Sequence, residues 1–214
     1  MIAVILCNGE QPSDELLLRH LQAAELVICT DGAIGWVEER GCEPGVVIGD
    51  MDSWGEADGK LKTCPTREII HCGAHDQQEN TDAEKALLLA LERGARRVVM
   101  LGATGQRLDH TLGNVALAAK YRDRAEIVLA DDHGELKVID GRNVIATDAG
   151  TVFSLVPLTV DVTLDTEGLK WPLHGPLEVG TRGLSNEALE SEVVIDLHSG
   201  VVALITMAPA EDAS

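Results

Sequence analysis

Residues 46–56 read VVIGDMDSWGE, so Asp50 and Asp52 stand one residue apart where an apolar run ends. In an extended segment, residues two apart project to the same face. The two carboxylates can therefore converge on one cation. Held that close, they repel each other unless a cation lies between them or one is protonated. Oxygen donors of this kind suit Mg²⁺, which keeps several waters and shares itself with substrate phosphates. A solvated Asp-rich turn fits the same residues equally well.

Three more clusters follow apolar runs. CTDGA at 29–33 places Asp31 and Gly32 after the second run. DQQENTDAEKAL at 76–87 opens a strongly helical stretch at Thr81 and Asp82. Free N–H groups at a helix start attract phosphate, yet helix-capping preference alone accounts for both residues and is the stronger local reading. LGATGQRLDHTLGN at 101–114 is a glycine loop. Gly102 and Gly105 allow close backbone approach, and Arg107 offers a fixed fork suited to phosphate oxygens. Asp109 follows two residues later, and His110 reads as a packed residue at a helix start rather than a proton carrier. Taken together, four run ends deliver polar or acidic groups toward one rim, which describes an anion-plus-metal crevice.

These clusters need strands and helices to hold them. Strands are expected at 2–7, 26–30, 45–50, 67–72, 96–101 and 125–130, and helices at 13–25, 33–41, 81–94 and about 109–120. Ser13 is the expected cap of the first helix, and Thr81 with Glu84 forms an expected capping box. Several of the strands are apolar throughout, which marks strands covered on both faces. The fold class is therefore α/β, with a mostly parallel N-terminal sheet wrapped by helices. After about residue 135 the helical patterns stop. ELKVID, NVIAT, TVFSLVPL, VDVTLD, SEVVIDL and VVALITM are short runs separated by turn signals. They point to a smaller antiparallel β-sandwich over 136–214, following an α/β domain over 1–135.

The totals narrow the function. The chain has 214 residues, with 17 Lys plus Arg against 36 Asp plus Glu, a net charge of −19. Such a surface argues against nucleic acid and against anionic membranes, but not against a phosphorylated small molecule escorted by metal ions. No apolar run has the length of a membrane span. The five cysteines are odd in number and form no CxxC pair, and no signal segment is visible. A cytoplasmic chain with reduced thiols is the expectation, with Cys7 and Cys29 in the core. Cys64, His71, Cys72 and His75 match no common zinc spacing. Aromatic residues make up only 2% of the chain, so an exposed tryptophan is a functional candidate.

GDMDS (49–53), ENTDAEKAL (79–87) and GATGQRLDHTLGN (102–114) resemble the three signature segments of the thiamine pyrophosphokinase family, also called thiamine diphosphokinase. GLKWPL (168–173) and GLSNE (183–187) are similar to its C-terminal motifs. The resemblance runs in order over nearly the whole chain. It implies transfer of the pyrophosphoryl group of ATP to the hydroxyl of thiamine, giving thiamine diphosphate and AMP. It implies an N-terminal domain for ATP and Mg²⁺. It also implies a C-terminal sandwich that takes part in a homodimer, with thiamine in a cleft between subunits. Carried over by position, Asp50, Asp52 and Asp82 would be Mg²⁺ ligands and catalytic residues together with Arg107 and Asp109. Asp31, Ser53, Gln78, Thr81, Thr104 and Arg107 would border the nucleotide and the cleft. Trp171 would lie against the thiamine ring, where a flat aromatic suits a cationic thiazolium, and Ser185 and Asn186 would come from the facing subunit. The chain departs from the family pattern at Ala33 and Gln106, where glycine is common, and at Glu79, where aspartate is usual. The alternatives are another Mg²⁺-dependent phosphotransferase acting on a small alcohol, or a non-catalytic nucleotide or thiamine sensor.

Overall fold

A computed structural model of the chain describes residues 1–50, 68–72 and 80–208. By its internal contacts the chain divides into two compact units, Met1–Asp131 and Asp132–Ser214.

The first unit contains β1 (Ile2–Leu6), α1 (Asp14–Ala23), β2 (Leu26–Thr30), α2 (Ile34–Glu39), β3 (Val46–Gly49), β4 (Glu68–His71), α3 (Asp82–Glu92), β5 (Arg97–Leu101), α4 (Leu108–Tyr121) and β6 (Glu126–Asp131). Every pairing among its described strands is parallel. The strands lie in the order β6-β5-β1-β2-β3-β4. Val4, Leu6, Cys29 and Val47 share one face with Leu16 and Leu17 of α1 and Trp36 of α2. On the other face α3 packs over β1, β2 and β3, and α4 over β6. Apolar side chains are needed on both faces, which is why these runs carry no alternation. Ala3, Val4, Ile5 and Leu6 are all fully buried.

Helix starts follow local chemistry. Ser13 Oγ accepts from Leu16 N at 3.2 Å, and Thr81 Oγ1 accepts from Glu84 N at 3.2 Å. The capping box expected at Thr81–Glu84 is completed differently. Glu84 Oε1 accepts from Lys120 Nζ and Tyr121 OH of α4, each at 2.7 Å, and so ties the two helices together. Burial pushes the Glu84 carboxyl up, but those two bonds outweigh it and hold the group below the ordinary carboxylate range.

The second unit is all β: β7 (Gly134–Ile139), β8 (Arg142–Ala146), β9 (Val152–Pro157), β10 (Thr163–Glu167), β11 (His174–Pro176), β12 (Asn186–Glu187), β13 (Glu192–Ser199) and β14 (Val202–Met207). Two antiparallel layers run β12-β9-β14-β7 and β11-β10-β13-β8. Phe153, Leu155 and Leu204 of one layer share a core with Leu164, Ile195 and Leu197 of the other. The α/β part followed by a smaller antiparallel part is the expected fold class. The six expected runs are all strands; β11 and β12, three and two residues long, are too short to carry a period. On the exposed face of the second layer, Asp165 bonds His174 Nδ1 at 2.8 Å and His198 Nε2 at 2.7 Å.

Candidate active site

In the first unit the strand order reverses between β1 and β5. Open parallel sheets place ligands at the carboxyl ends of the strands, at such a reversal. Here the two loops leaving β1 and β5 continue the pairing of their strands. Cys7 N donates to Leu101 O at 2.8 Å, Gly9 N to Gly102 O at 2.7 Å and Glu10 N to Thr104 O at 2.8 Å. Only glycine fits this seam: a Cβ on Gly9 would strike the carbonyl oxygens of Gly102 and Thr104, and one on Gly102 the carbonyl of Cys7. Gln106 adopts φ +49°, a left-handed conformation that favours glycine. Its own side chain offsets the cost, with Nε2 donating to Gly9 O at 2.7 Å and fastening one loop to the other. Asn114, buried in α4, donates to Ala103 O at 2.7 Å, and Thr104 Oγ1 donates to Asp131 Oδ2 at 2.9 Å.

These loops surround a cavity of about 270 Å³. Asp31, Thr81, Asp82, Thr104 and Arg107 line it, so residues expected at the site arrive from three separate strand–helix junctions. Asn8, Gly9, His110 and Asn114 also line it, although sequence reasoning does not single them out as ligands. The packed position expected for His110 is not found. The residue is exposed at the cavity, because the first turn of α4 stands clear of the core, with Leu108 and Leu112 exposed beside it. Cys7 lines the cavity too, with burial pushing its thiol up to about 12.

The acidic side chains sit at different depths. Asp31 is buried at 4% exposure and its Oδ1 accepts from Gly32 N at 2.6 Å. Gly49 packs directly on that carboxyl group and leaves no room for a Cβ. Asp50, half-buried, follows at the end of β3. Asp82 Oδ1 accepts from Lys85 Nζ at 3.0 Å, and the Lys85 side chain is only 10% exposed. Burial alone would lower the Lys85 pKa; the Asp82 bond, with the charges of Asp82, Cys72 and Asp50, outweighs burial and raises it. Asp82 thus pairs with Lys85 directly, and Asp50 adds only its field. Among the described residues no cluster of three or more His, Cys, Asp or Glu is arranged to hold a metal. Asp82 at the cavity and Asp50 at the end of β3 supply carboxylate oxygens, the donor type that Mg²⁺ accepts.

Arg107 and Asp109 are mutually engaged at the rim. Arg107 Nε and Nη2 donate to Asp109 Oδ1 and Oδ2 at 3.1 and 2.6 Å. The Arg107 bond holds the Asp109 carboxyl at about 2, and Asp109 in turn raises the guanidinium. Both side chains are about two-thirds exposed, at 68% and 64%, so the pair contributes little to stability. Thr81 caps α3 and lines the cavity at once, so capping and ligand contact are compatible roles. Asp52, Ser53, Gln78 and Glu79 lie outside the described residues, as do Cys64 and His75.

In the second unit Trp171 stands on the connection between β10 and β11, 54% exposed, whereas Trp36 of the first unit is buried in the core. Lys170 Nζ sits over the Trp171 ring at 5.0 Å from its centroid and pairs with Glu187 at 2.7 Å. Ser185 is exposed, with φ +55°, and its N–H donates to Ser154 Oγ at 3.0 Å. Asn186 is not exposed beside it. It is buried at 4%, with its carboxamide turned onto the Trp171 main chain.

Comparison with known proteins addresses both units. A family model described as thiamin pyrophosphokinase, catalytic domain, matches residues 17–129, and one described as thiamin pyrophosphokinase, vitamin B1 binding domain, matches residues 142–202. The chain is 28% identical over 175 residues to the thiamine pyrophosphokinase of Bacillus subtilis, covering 78% of this chain and 80% of that protein. It is 28% identical over 241 residues to thiamine pyrophosphokinase 1 of Arabidopsis thaliana, covering 96% and 86%. Among solved structures, thiamin pyrophosphokinase from Geobacillus thermodenitrificans superposes with a TM-score of 0.81 at 29% identity, covering 99% of each chain. The Bacillus subtilis enzyme gives 0.83 at 25% identity, covering 97% of this chain and 99% of that one.

Proposed function

The chain belongs to the thiamin pyrophosphokinase family, and from that premise we propose that it transfers the pyrophosphoryl group of ATP to thiamine, with Mg²⁺ as the metal. The thiamine hydroxyl oxygen forms a bond to the β-phosphorus. The bond from that phosphorus to the α-bridging oxygen breaks, AMP leaves with the oxygen, and the hydroxyl proton passes to a carboxylate. The observation that carries this reading is the cavity at the strand reversal. There Asp31, Thr81, Asp82, Thr104 and Arg107 meet from separate loops.

The chemistry asks for in-line positioning and for charge neutralisation around the phosphates rather than for a covalent intermediate. Glycine-seamed loops bring backbone N–H groups close to the polyphosphate. The α3 N-terminus at Thr81 adds its positive dipole end. Arg107 exchanges Asp109 for transferring phosphate oxygens, and Asp109 holds the guanidinium in place beforehand. Asp50, Asp52 and Asp82 would hold Mg²⁺, with Gln78 and Ser53 alongside. The ion, when bound, supplies charge neutralisation on the phosphates. Asp50 or Asp52 takes the hydroxyl proton. Trp171 stacks on the thiazolium, with Ser185 beside it, in a homodimer whose thiamine cleft lies between subunits. In this reading residues 1–135 serve ATP and metal, and residues 136–214 serve thiamine and dimerisation. The proposed location is the cytoplasm, in keeping with an odd set of cysteines that form no CxxC pair. No described helix is long and apolar enough to cross a membrane.

The test is product identity. Purified protein with ATP, Mg²⁺ and thiamine is expected to release AMP and thiamine diphosphate in equal amounts by chromatography. Formation of ADP, or AMP release that is indifferent to thiamine but stimulated by another alcohol, would overturn the assignment. Ligand binding in a calorimeter with no AMP formed would make it a sensor.

A further inference from the structure

Trp171 is held in the second unit through its main chain. Asn186 Oδ1 accepts from Trp171 N at 3.1 Å and from Glu187 N at 2.9 Å, and its Nδ2 donates to Trp171 O at 2.6 Å. One carboxamide thus satisfies both main-chain groups of the residue that bears the indole. Fifteen residues of sequence separate the two. The surrounding backbone reinforces the hold. Lys170 N donates to Glu187 O and Leu189 N to Gly168 O, each at 2.8 Å, and Leu169 and Ala188 form an antiparallel bridge. The segments 168–171 and 186–189 therefore pair as a ribbon laid along the edge of β9, with Trp171 at its end. On one side of the ring the Lys170 ammonium already sits at cation–π distance, itself held by Glu187.

We infer that Asn186 is a positioning residue that acts through Trp171: it fixes the indole as a platform with one side covered by Lys170 and the other open to a flat organic cation. This rests on the assignment of Trp171 to the thiazolium made above, and it replaces the substrate contact expected of Asn186. An amide buried at 4% that spends three of its four hydrogen bonds inside the chain keeps only one Nδ2 N–H to offer elsewhere. Without it, the Trp171 N–H and carbonyl lose their partner and the ring loses its fixed aim. A ligand then has to order the platform on binding, which raises KM and leaves the chemical step alone.

A double-mutant cycle in the full chain tests this. Steady-state kinetics and calorimetric thiamine binding are measured for the wild type, Asn186→Ala, Trp171→Ala and the double variant. Asn186→Ala is expected to raise the thiamine KM about fivefold, the worth of roughly one hydrogen bond, with kcat within about twofold. In the Trp171→Ala background the same change is expected to add less than about twofold. Asn186→Ser keeps one neutral oxygen acceptor and loses the Nδ2 donor, so it is expected to fall between. It also carries the cycle should Asn186→Ala fail to fold. An equal KM penalty with and without the indole overturns the inference, because Asn186 would then act independently of Trp171. A Trp171→Ala variant with unchanged thiamine KM removes the thiamine assignment itself, and the inference with it. The two failures are read from different corners of the cycle.

Discussion

The cavity of the first unit and the Trp171 ribbon of the second solve the same problem, presenting a few side chains at fixed positions, by opposite means. Around the cavity, Asp31, Asp82 and Arg107 come from junctions far apart in sequence, and a hydrogen-bonded seam between two loops sets its floor. The ribbon joins two short segments, laid along β9, through one carboxamide. Parts that must gather phosphate charge are recruited from many strand ends. A flat hydrophobic platform needs one residue and a rigid mount. The difference predicts that substitutions in the two places fail differently, one in turnover and the other in affinity.

The largest effect is expected at the acids. Asp50→Asn or Asp82→Asn should lower kcat by about 10²–10³-fold, the usual loss when one preorganised electrostatic group is removed, with the thiamine KM changed little. Trp171→Ala should do the reverse, raising that KM by roughly three- to thirtyfold, as expected for a cation–π contact between an exposed and a desolvated site. Stopped-time assays of AMP at varied thiamine separate the two patterns, and matching losses of kcat at both places would collapse the distinction between the regions. A smaller change is expected at the seam. Gln106→Ala keeps the left-handed backbone but loses the bond to Gly9, so it should lower the melting temperature by about 2–4 °C. Gln106→Gly relieves the backbone and should recover most of that loss, while both variants raise the ATP KM. If Gln106→Ala melts with the wild type, the side-chain latch is not what holds the loops.

The smallest effect belongs to the outer layer of the second unit, which should report on stability and not on catalysis. Asp165 raises the His198 pKa through their hydrogen bond. The stabilisation is therefore fully present below the unfolded histidine value of about 6.5, and it fades as pH rises through the raised folded value. His198 in turn, followed by His174, holds Asp165 below its ordinary range, so that share appears above the unfolded aspartate value of about 3.9 and is lost on acidification. Melting curves between about pH 5.5 and 8.5 should show wild type losing its advantage over His198→Gln as pH rises, at equal turnover. A turnover difference would mean that this face communicates with the chemistry.

Much of the cavity is legible in the sequence only when its clusters are taken together: each acid or glycine after an unalternating apolar run also fits a turn or a helix cap, but several such run ends on one parallel sheet point to its carboxyl rim. Period alone places Asp31, Asp82 and Arg107 on strand and helix ends. It does not place Asn8 and Gly9, since CNG after the first strand resembles any turn. What makes that turn a lining of the cavity is the strand order, a long-range property that seats β1 at the reversal. The reversal rule applied to the first strand is the one signal that reaches these two residues. His110 escapes for a related reason: the sequence shows where α4 begins, not that its first turn overhangs the cavity. Motif places Asn186 among the ligands, whereas its main-chain bonds depend on a ribbon whose β12 strand is two residues long and has no readable period.

The Cys7 thiol in the cavity wall, 5% exposed and protonated up to about pH 12, has almost no thiolate to offer. Alkylating reagents and mild peroxide should pass it by, leaving a buried sulfur in a residue of the cavity wall that behaves as a hydrocarbon would. Reductant in the buffer is then superfluous for that residue, and any sensitivity to oxidation must be sought at another cysteine.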